Sequence, residues 1–125
     1  MVRLLLALTV LASLILSTAP GCNCSEEART PYVETLDATE TAGILVTLNG
    51  NLRSLGKYSS VEVCFRWRRP SDSDYRETSK QTMTSIGQFS AQVFPEITAT
   101  TWEFYAVVTA KNYTGEGETR TFYKP

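Results

Sequence analysis

The chain has 125 residues, enough for one domain and little besides, and its hydrophobic content of 42% is ordinary for a globular protein. Its 12 Lys and Arg nearly balance its 13 Asp and Glu, which argues against a nucleic-acid partner, since nucleic-acid binders usually carry a basic bias. There is no histidine. This removes the commonest general base and the commonest metal ligand, so we expect no metal site and no cofactor, and an enzyme is disfavoured.

Residues 1–21 have the pattern of a signal peptide. Arg3 supplies a positive charge, and a largely apolar run extends from Leu4 to Leu16. This run is shorter than the roughly 20 apolar residues that span a bilayer. The sequence therefore predicts an exported protein, with an uncleaved anchor or a buried core helix as the alternatives.

The end of this segment, from Ala19 to Cys22, resembles a bacterial lipobox, in which small residues precede a lipidated cysteine. Ordinary signal peptidase would accept the same bond, so either reading makes Cys22 the first mature residue. We expect Cys22 to carry the lipid that attaches the protein to a membrane at the cell surface. Without the lipid, the protein would be secreted.

Residues 22–31 have no apolar periodicity and are predicted to form a tether before the domain at 32–125. With Cys22 lipidated, Cys24 and Cys64 remain and could form a disulfide in an oxidising compartment. We favour free thiols, because Cys64 falls on the outward phase of a predicted strand and Cys24 lies in the tether. A metal site built on Cys22 and Cys24 lacks further ligands.

The domain shows period-two alternation of apolar and polar residues, which predicts strands. The clearest runs are at 44–48, 61–68, 89–93 and 102–110, with weaker ones at 33–38, 75–82 and 118–123. Turn-forming residues separate them at 49–51, 55–57, 69–72, 86–87 and 114–117. About seven short strands without helical periodicity predict an all-β, antiparallel, two-sheet sandwich.

Four large aromatic residues fall on the inward phases of the two strongest strands. They are predicted to form the core: Phe65, Trp67, Trp102 and Phe104.

Residues 42–123 resemble a fibronectin type III-like, immunoglobulin-like module of prokaryotic surface and secreted proteins. The resemblance is carried by LNGNL at 48–52, SVEVCFRWR at 60–68, GQFSAQV at 87–93 and TWEFYAVV at 101–108. It implies that strands 61–68 and 102–110 are neighbours in one sheet. It also implies that Trp102 stands where such domains hold a tyrosine whose hydroxyl bonds back to the backbone, a bond that an indole N–H can replace.

The implied neighbour relation defines one candidate binding face. Arg66 and Arg68 would lie beside Tyr105 on the outward side, and the last strand would add Tyr123. Arginine and tyrosine can stack on a planar ligand or a sugar. The alternative is that Arg66, Glu103 and Tyr105 form cross-strand pairs that stabilise an exposed sheet face.

Two further features are minor. Asp72 and Asp74 suggest calcium, but the segment lacks the glycine and bidentate glutamate of an EF-hand, so we expect a solvated turn. Asn112 lies in an Asn-Tyr-Thr sequon in a predicted loop, where it would accept a glycan if the host glycosylates exported proteins. A second sequon begins at Asn23.

These observations favour a non-catalytic exported module. We expect it to contact a surface protein or polysaccharide, or to act as a spacer. Carbohydrate binding through the candidate face is the alternative, and a small secreted enzyme is a third hypothesis, disfavoured because no carboxylates converge.

Overall fold

Nine β-strands make up the part of the chain that the computed structural model describes, residues 30–40 and 43–125. Their bounds are Tyr32–Glu40 (β1), Val46–Ser54 (β2), Val61–Arg68 (β3), Arg76–Glu77 (β4), Gln81–Met83 (β5), Gly87–Val93 (β6), Thr100–Ala110 (β7), Tyr113–Glu116 (β8) and Arg120–Lys124 (β9). Within these residues no helix is long and apolar enough to cross a membrane. The predicted signal peptide, the lipidation site Cys22 and Cys24 lie outside the described residues.

The strands form two antiparallel sheets. One sheet has three strands in the order β1-β2-β6. The other has six strands, in which β3 and β7 form the central pair, β4 and β5 both pair with β3, and β8 and β9 both pair with β7. This architecture confirms the predicted all-β, antiparallel, two-sheet sandwich, with β3 and β7 as neighbours.

The core lies between the sheets, where alternate side chains of each strand meet. The four aromatic residues predicted for it are all buried there. Phe65 and Phe104 have ring centroids 6.3 Å apart, and Trp67 and Trp102 have centroids 5.1 Å apart. Burial of these rings follows from the alternation, since each occupies the inward phase of its strand.

Trp102 also holds the connection that precedes β7. Its indole Nε1 donates a hydrogen bond to the carbonyl oxygen of Ile97 at 3.2 Å, five residues upstream. The predicted replacement of a tyrosine hydroxyl by an indole N–H is thus confirmed. The bond fixes the 94–99 loop against the end of the sandwich.

Both edges of the six-stranded sheet are interrupted at the same position along the central pair of strands, β3 and β7. Phe65 of β3 lies directly opposite Ala106 of β7. Outside Phe65, the partner strand is split into β4 and β5, and Thr78 bridges the gap: its Oγ1 accepts from Phe65 N at 2.9 Å and its N donates to Phe65 O at 2.9 Å.

Outside Ala106, the partner strand is split into β8 and β9. The gap is filled from two places, because Gly117 N donates to Ala106 O at 2.9 Å while Ala106 N donates to Thr35 Oγ1 of β1 at 3.0 Å. Arg120 Nε then donates to Thr35 O at 2.9 Å. Strand β1 therefore belongs to the first sheet and closes this edge of the second.

Four predicted boundaries were wrong. The turn predicted at 49–51 is the middle of β2, where Gly50 packs under the Phe89 ring: a Cβ at this glycine would lie 2.8 Å from Phe89 Cζ. Glycine here makes room for a neighbour and does not reverse the chain. Residue 44 precedes β2, so Ile44 is exposed and not inward.

The other two errors follow from the broken edges. The single strand predicted at 75–82 is β4 and β5, separated by the bridging Thr78. The turn predicted at 114–117 is mostly strand β8, and the last strand begins later than predicted, at Arg120. Alternation cannot reveal such splits, because they depend on what fills the gap.

Candidate functional site

The candidate face predicted from the sequence is the outer face of the six-stranded sheet, turned away from the core. Here Arg66 lies opposite Tyr105, and Arg68 lies opposite Glu103. The two arginines and Tyr105 are thus brought together as expected. Tyr123 lies opposite Thr101, four residues from Tyr105 along β7, about 13 Å away at the usual strand rise. It is 62% exposed and does not join the cluster.

Tyr75 covers the middle of this outer face. Its ring meets Tyr105 edge-on with centroids 5.2 Å apart, and the Arg68 guanidinium lies 4.1 Å above the Tyr75 ring centroid. Tyr105 is only 9% exposed, and it forms a second buried cluster with Cys64 and Val107. The expected exposed platform for a ligand is therefore already occupied by a side chain of the protein.

Cys64 lies on the predicted face of its strand but is buried there. It lies on the outward phase of β3, yet it is 2% exposed because this face has its own small apolar cluster. Burial raises the pKa of the Cys64 thiol, so the thiol stays protonated and unreactive at neutral pH.

The charged groups of the outer face are paired with one another. Arg66 donates to Tyr105 Oη at 3.4 Å and to Glu77 Oε2 at 3.1 Å, and both bonds raise the pKa of Arg66. Arg68 donates to Glu103 Oε2 at 2.8 Å, which raises the pKa of Arg68.

The hydroxyl of Tyr75 donates to the same Glu103 oxygen at 3.1 Å. Burial, followed by this hydrogen bond, raises the pKa of Tyr75. The outer face thus matches the cross-strand alternative considered for it, in which these residues stabilise the sheet.

The predicted turn at Asp72 is confirmed. Asp72 Oδ2 accepts from Arg69 N at 3.0 Å, and Asp72 N donates to Arg69 O at 2.9 Å. The Arg69 guanidinium also contacts Asp72 Oδ1 at 2.8 Å, and these bonds lower the pKa of Asp72. Within residues 30–40 and 43–125, no three acidic, cysteine or histidine side chains are grouped to hold a metal ion.

Asn112 is exposed in the two-residue connection between β7 and β8. Glycosylation of Asn112 stays a prediction.

A different surface, which sequence reasoning missed, has the form of a binding site. A cleft of about 490 Å³ separates the free edge of β6 from the broken edge formed by β4 and β5. We call it the edge cleft. Its walls are residues 77–79 and Gln81 on one side and residues 91–94 on the other, with Trp67 between them.

Two polar contacts lie near the ends of the edge cleft, one between β5 and β6 and one between β4 and the loop that follows β6. At one end, Gln81 Nε2 donates to the carbonyl oxygen of Ser90 at 2.8 Å. At the other end, Arg76 forms two hydrogen bonds to the Glu96 carboxylate, at 2.8 and 2.7 Å. The edge cleft therefore lies between two contacts that hold its walls together.

Arg76 is held in place by more than this ion pair. Its guanidinium lies 4.9 Å from the Trp67 ring centroid and 5.4 Å from that of Trp102. The paired Arg76 guanidinium lowers the pKa of Glu96 to about 2. This end of the cleft is fixed by stacked rings and a bidentate pair together.

Phe94 was the residue in the sequence that could have indicated the cleft. It follows the inward Val93 at the end of β6, so it occupies an outward phase, where a large apolar ring is unusual. It is 54% exposed at the rim of the edge cleft. The rest of the cleft depends on which strands form edges, and alternation gives no information on that.

Comparisons with known proteins place the fold. No protein-family model and no curated protein sequence matches the chain. The chain is similar in structure to the sensor domain of the anti-sigma factor RsgI4 from Pseudobacteroides cellulosolvens. A solution structure of that domain has TM-score 0.60 and 17% identity, covering 76% of this chain and 75% of the other.

Two further structures of that sensor domain give the same result. A short form has TM-score 0.63 and 15% identity over 75% of this chain and 93% of the other, and a long form has 0.60 and 14% over 76% and 89%. At these identities the similarity establishes the fold alone: this chain shares the sandwich of a sensor domain.

Proposed function

We propose that this chain is a non-catalytic recognition module that acts outside the cytoplasm. The observation that carries the proposal is the edge cleft, a concave surface with an exposed aromatic ring at its rim and polar side chains along its walls. Binding sites of this kind combine apolar surface with a few oriented polar groups. The outer face, by contrast, uses its charged groups internally.

The structural comparison supports the same function. The matched structures are sensor domains, and the match covers three quarters or more of each of them. A sensor domain binds a signal and leaves it chemically unchanged. The lack of histidine in this chain agrees with a role in binding, because acid–base catalysis near neutral pH most often uses that residue.

The recognition proposal is tested by adding fractions of bacterial cell-surface polymers and secreted proteins to the full chain and measuring its thermal midpoint. We expect one class of material to raise the midpoint, because a ligand that binds only the folded state stabilises it. The bound material should be recovered with unchanged mass. Conversion of the material to a product would contradict the non-catalytic function, and no rise with any class would contradict recognition.

We also propose that residues 1–21 direct export and that Cys22 carries the lipid anchor. The support is the charge of Arg3, the short apolar run and the small residues before Cys22. A diacylglyceryl group on the Cys22 sulfur, with a further acyl chain amide-linked to the Cys22 amino group, would hold the protein stably at a membrane.

The anchor is tested by intact mass and detergent partition of the full-length protein from a bacterial host, beside Cys22→Ala. We expect a lipid-sized mass increase that the variant loses. A mature chain that starts at Cys22 without lipid would leave export standing and contradict the anchor. An intact Met1 at the membrane would contradict both.

A further inference from the structure

We propose that the edge cleft binds the end of a neutral carbohydrate chain. This inference rests on the recognition function proposed above and names its ligand class. It moves carbohydrate binding from the outer face, where the sequence suggested it, to the opening between the two sheets.

The polar groups that line the cleft suit a ligand rich in hydroxyls. Gln81 and Gln92 carry amides, and Thr78 and Ser79 carry hydroxyls. Amides and hydroxyls both donate and accept hydrogen bonds, as sugar hydroxyls do. Gln81 is oriented by its bond to Ser90 O, which leaves its amide oxygen as an acceptor at the end of the cleft.

The apolar part of the cleft suits the C–H face of a pyranose ring. Phe94 presents an exposed ring at the rim, and Trp67, which is only 7% exposed, supports the wall from the core side. Trp67 is fixed by stacking with Trp102 and by the Arg76 guanidinium. The apolar surface offered to a ligand is therefore mainly the Phe94 ring, which lies beside a rigid part of the core.

The charge of the lining argues for a neutral ligand. Among the described residues that line the edge cleft there is no arginine or lysine, and the one carboxylate there, Glu77, is paired with Arg66 at 3.1 Å. Arg76 at the end of the cleft is paired with Glu96. A phosphate or uronate would find no available cation, and a cationic ligand would have to compete with Arg66 for Glu77.

The dimensions argue for a chain end and against an extended peptide. Between the two polar contacts near its ends the cleft runs along residues 91–94, about 10 Å at the rise of a strand, which is room for one or two sugar rings. A peptide strand added to β6 would need the backbone groups on its free edge. The carbonyl of Ser90 on that edge already accepts from Gln81, which interrupts the row.

The test uses calorimetric titration of the full chain with four neutral pentasaccharides, built from β-1,4-glucose, α-1,4-glucose, β-1,4-xylose and β-1,4-mannose. Trigalacturonate serves as the anionic probe. We expect at least one neutral probe to bind and trigalacturonate not to bind. Phe94→Ala and Gln92→Ala should each weaken binding of that neutral probe roughly tenfold, as truncation of a central contact does.

The chain offers matched controls for both variants. Tyr123→Ala removes an equally exposed aromatic ring from β9, and Gln88→Ala removes an exposed amide from the same strand as Gln92. Both should bind like the parent protein. All four truncated side chains are exposed, so their thermal midpoints should match the parent and separate binding from folding.

Three results would overturn the inference: no binding of any neutral probe, stronger binding of trigalacturonate, or neutral binding that Phe94→Ala and Gln92→Ala leave unchanged. Recognition itself would survive the second and third results, and it would survive the first if another material still raised the thermal midpoint. Failure of recognition would be seen separately, as the absence of any ligand in the thermal assay.

Discussion

The six-stranded sheet ends in two broken edges, and they are closed in different ways. Beyond Ala106, the gap between β8 and β9 receives Thr35 from the other sheet, so the two layers are joined there. Beyond Phe65, the gap between β4 and β5 is filled by Thr78 of the same segment. At that second edge the layers are joined by the side-chain bond from Gln81 to Ser90 O, and the edge cleft opens beside it.

The comparison shows how one sheet can have a stabilising edge and an edge that is open to a ligand. The polar groups of the β8–β9 edge form contacts within the protein. Arg120, for example, donates to Thr35 O and contacts Asp37 at 2.7 Å. The β4–β5 edge keeps side chains directed at solvent. Substitutions at the first edge should therefore affect stability alone, and those at the second should affect both stability and binding.

The largest expected effect comes from Gly117→Ala. A Cβ at this position would lie 2.5 Å from Thr35 Oγ1 and 2.8 Å from Thr35 N, so β1 would have to move. We expect a loss of about 3 kcal/mol in the free energy of unfolding, measured from the urea midpoint. The matched control is Gly115→Ala, whose Cβ would meet only the movable Tyr113 side chain and should cost less. Equal midpoints for the two variants would show that β1 does not approach this closely.

Thr35→Val tests the same edge without a clash. Valine keeps the shape but removes the acceptor for Ala106 N, which is buried. A buried N–H without a partner should lower the free energy of unfolding by about 2 kcal/mol. The exposed Thr121→Val serves as the control and should change it by less than about 0.5 kcal/mol. A change in affinity for a ligand of the edge cleft would break the proposed division between the edges.

Thr78→Val makes the matching change at the open edge. Phe65 N loses its acceptor, but Thr78 is only half-buried, so water can replace part of the bond. We expect a smaller loss, about 1 kcal/mol, together with weaker binding of a neutral sugar probe. Unfolding in urea and titration of the same sample measure the two effects. If Thr35→Val and Thr78→Val behave alike in both assays, the comparison fails.

The smallest effect concerns pH and the Arg76–Glu96 pair at the end of the edge cleft. The pKa of Glu96 is about 2 in the folded protein and 4.5 in an unperturbed chain. The pair therefore stabilises the fold fully above pH 4.5, and this contribution is lost as the pH falls towards 2. Since both partners are partly exposed, we expect well under 1 kcal/mol. Urea midpoints of the parent and Glu96→Gln should differ at pH 7 and converge near pH 2, and a constant difference would contradict the assignment.

Much of the fold could be predicted because β3 and β7 alternate strictly. Most of their inward residues, such as Phe65 and Trp102, are buried as expected, and Ala110 at the end of β7 is partly buried. The position of Arg66 beside Tyr105 followed from the resemblance and holds in the register. Local patterns were sufficient where a strand has one neighbour on each side and one apolar face.

The rest could not be predicted because it depends on contacts between distant segments. Gly50 lies in an Asn-Gly-Asn sequence that is typical of a turn, but it belongs to strand β2 and packs under Phe89. Cys64 has an outward phase but is buried, because Tyr75 and Tyr105 make that face apolar. The edge cleft needs the strand order of both sheets, and its residues are individually ordinary.

The bond from Ala106 to Thr35 also has a consequence for the kinetics of folding. It joins residues 71 positions apart, and the bond from Arg120 to Thr35 O spans 85. During synthesis at 5–20 residues per second, β1 would wait roughly 4–14 s after its own appearance before Ala106 follows. Contacts of such long range slow folding, so docking of β1 against the second sheet should be a late event. Strand β1, the first strand to be synthesised, would then be among the last to dock.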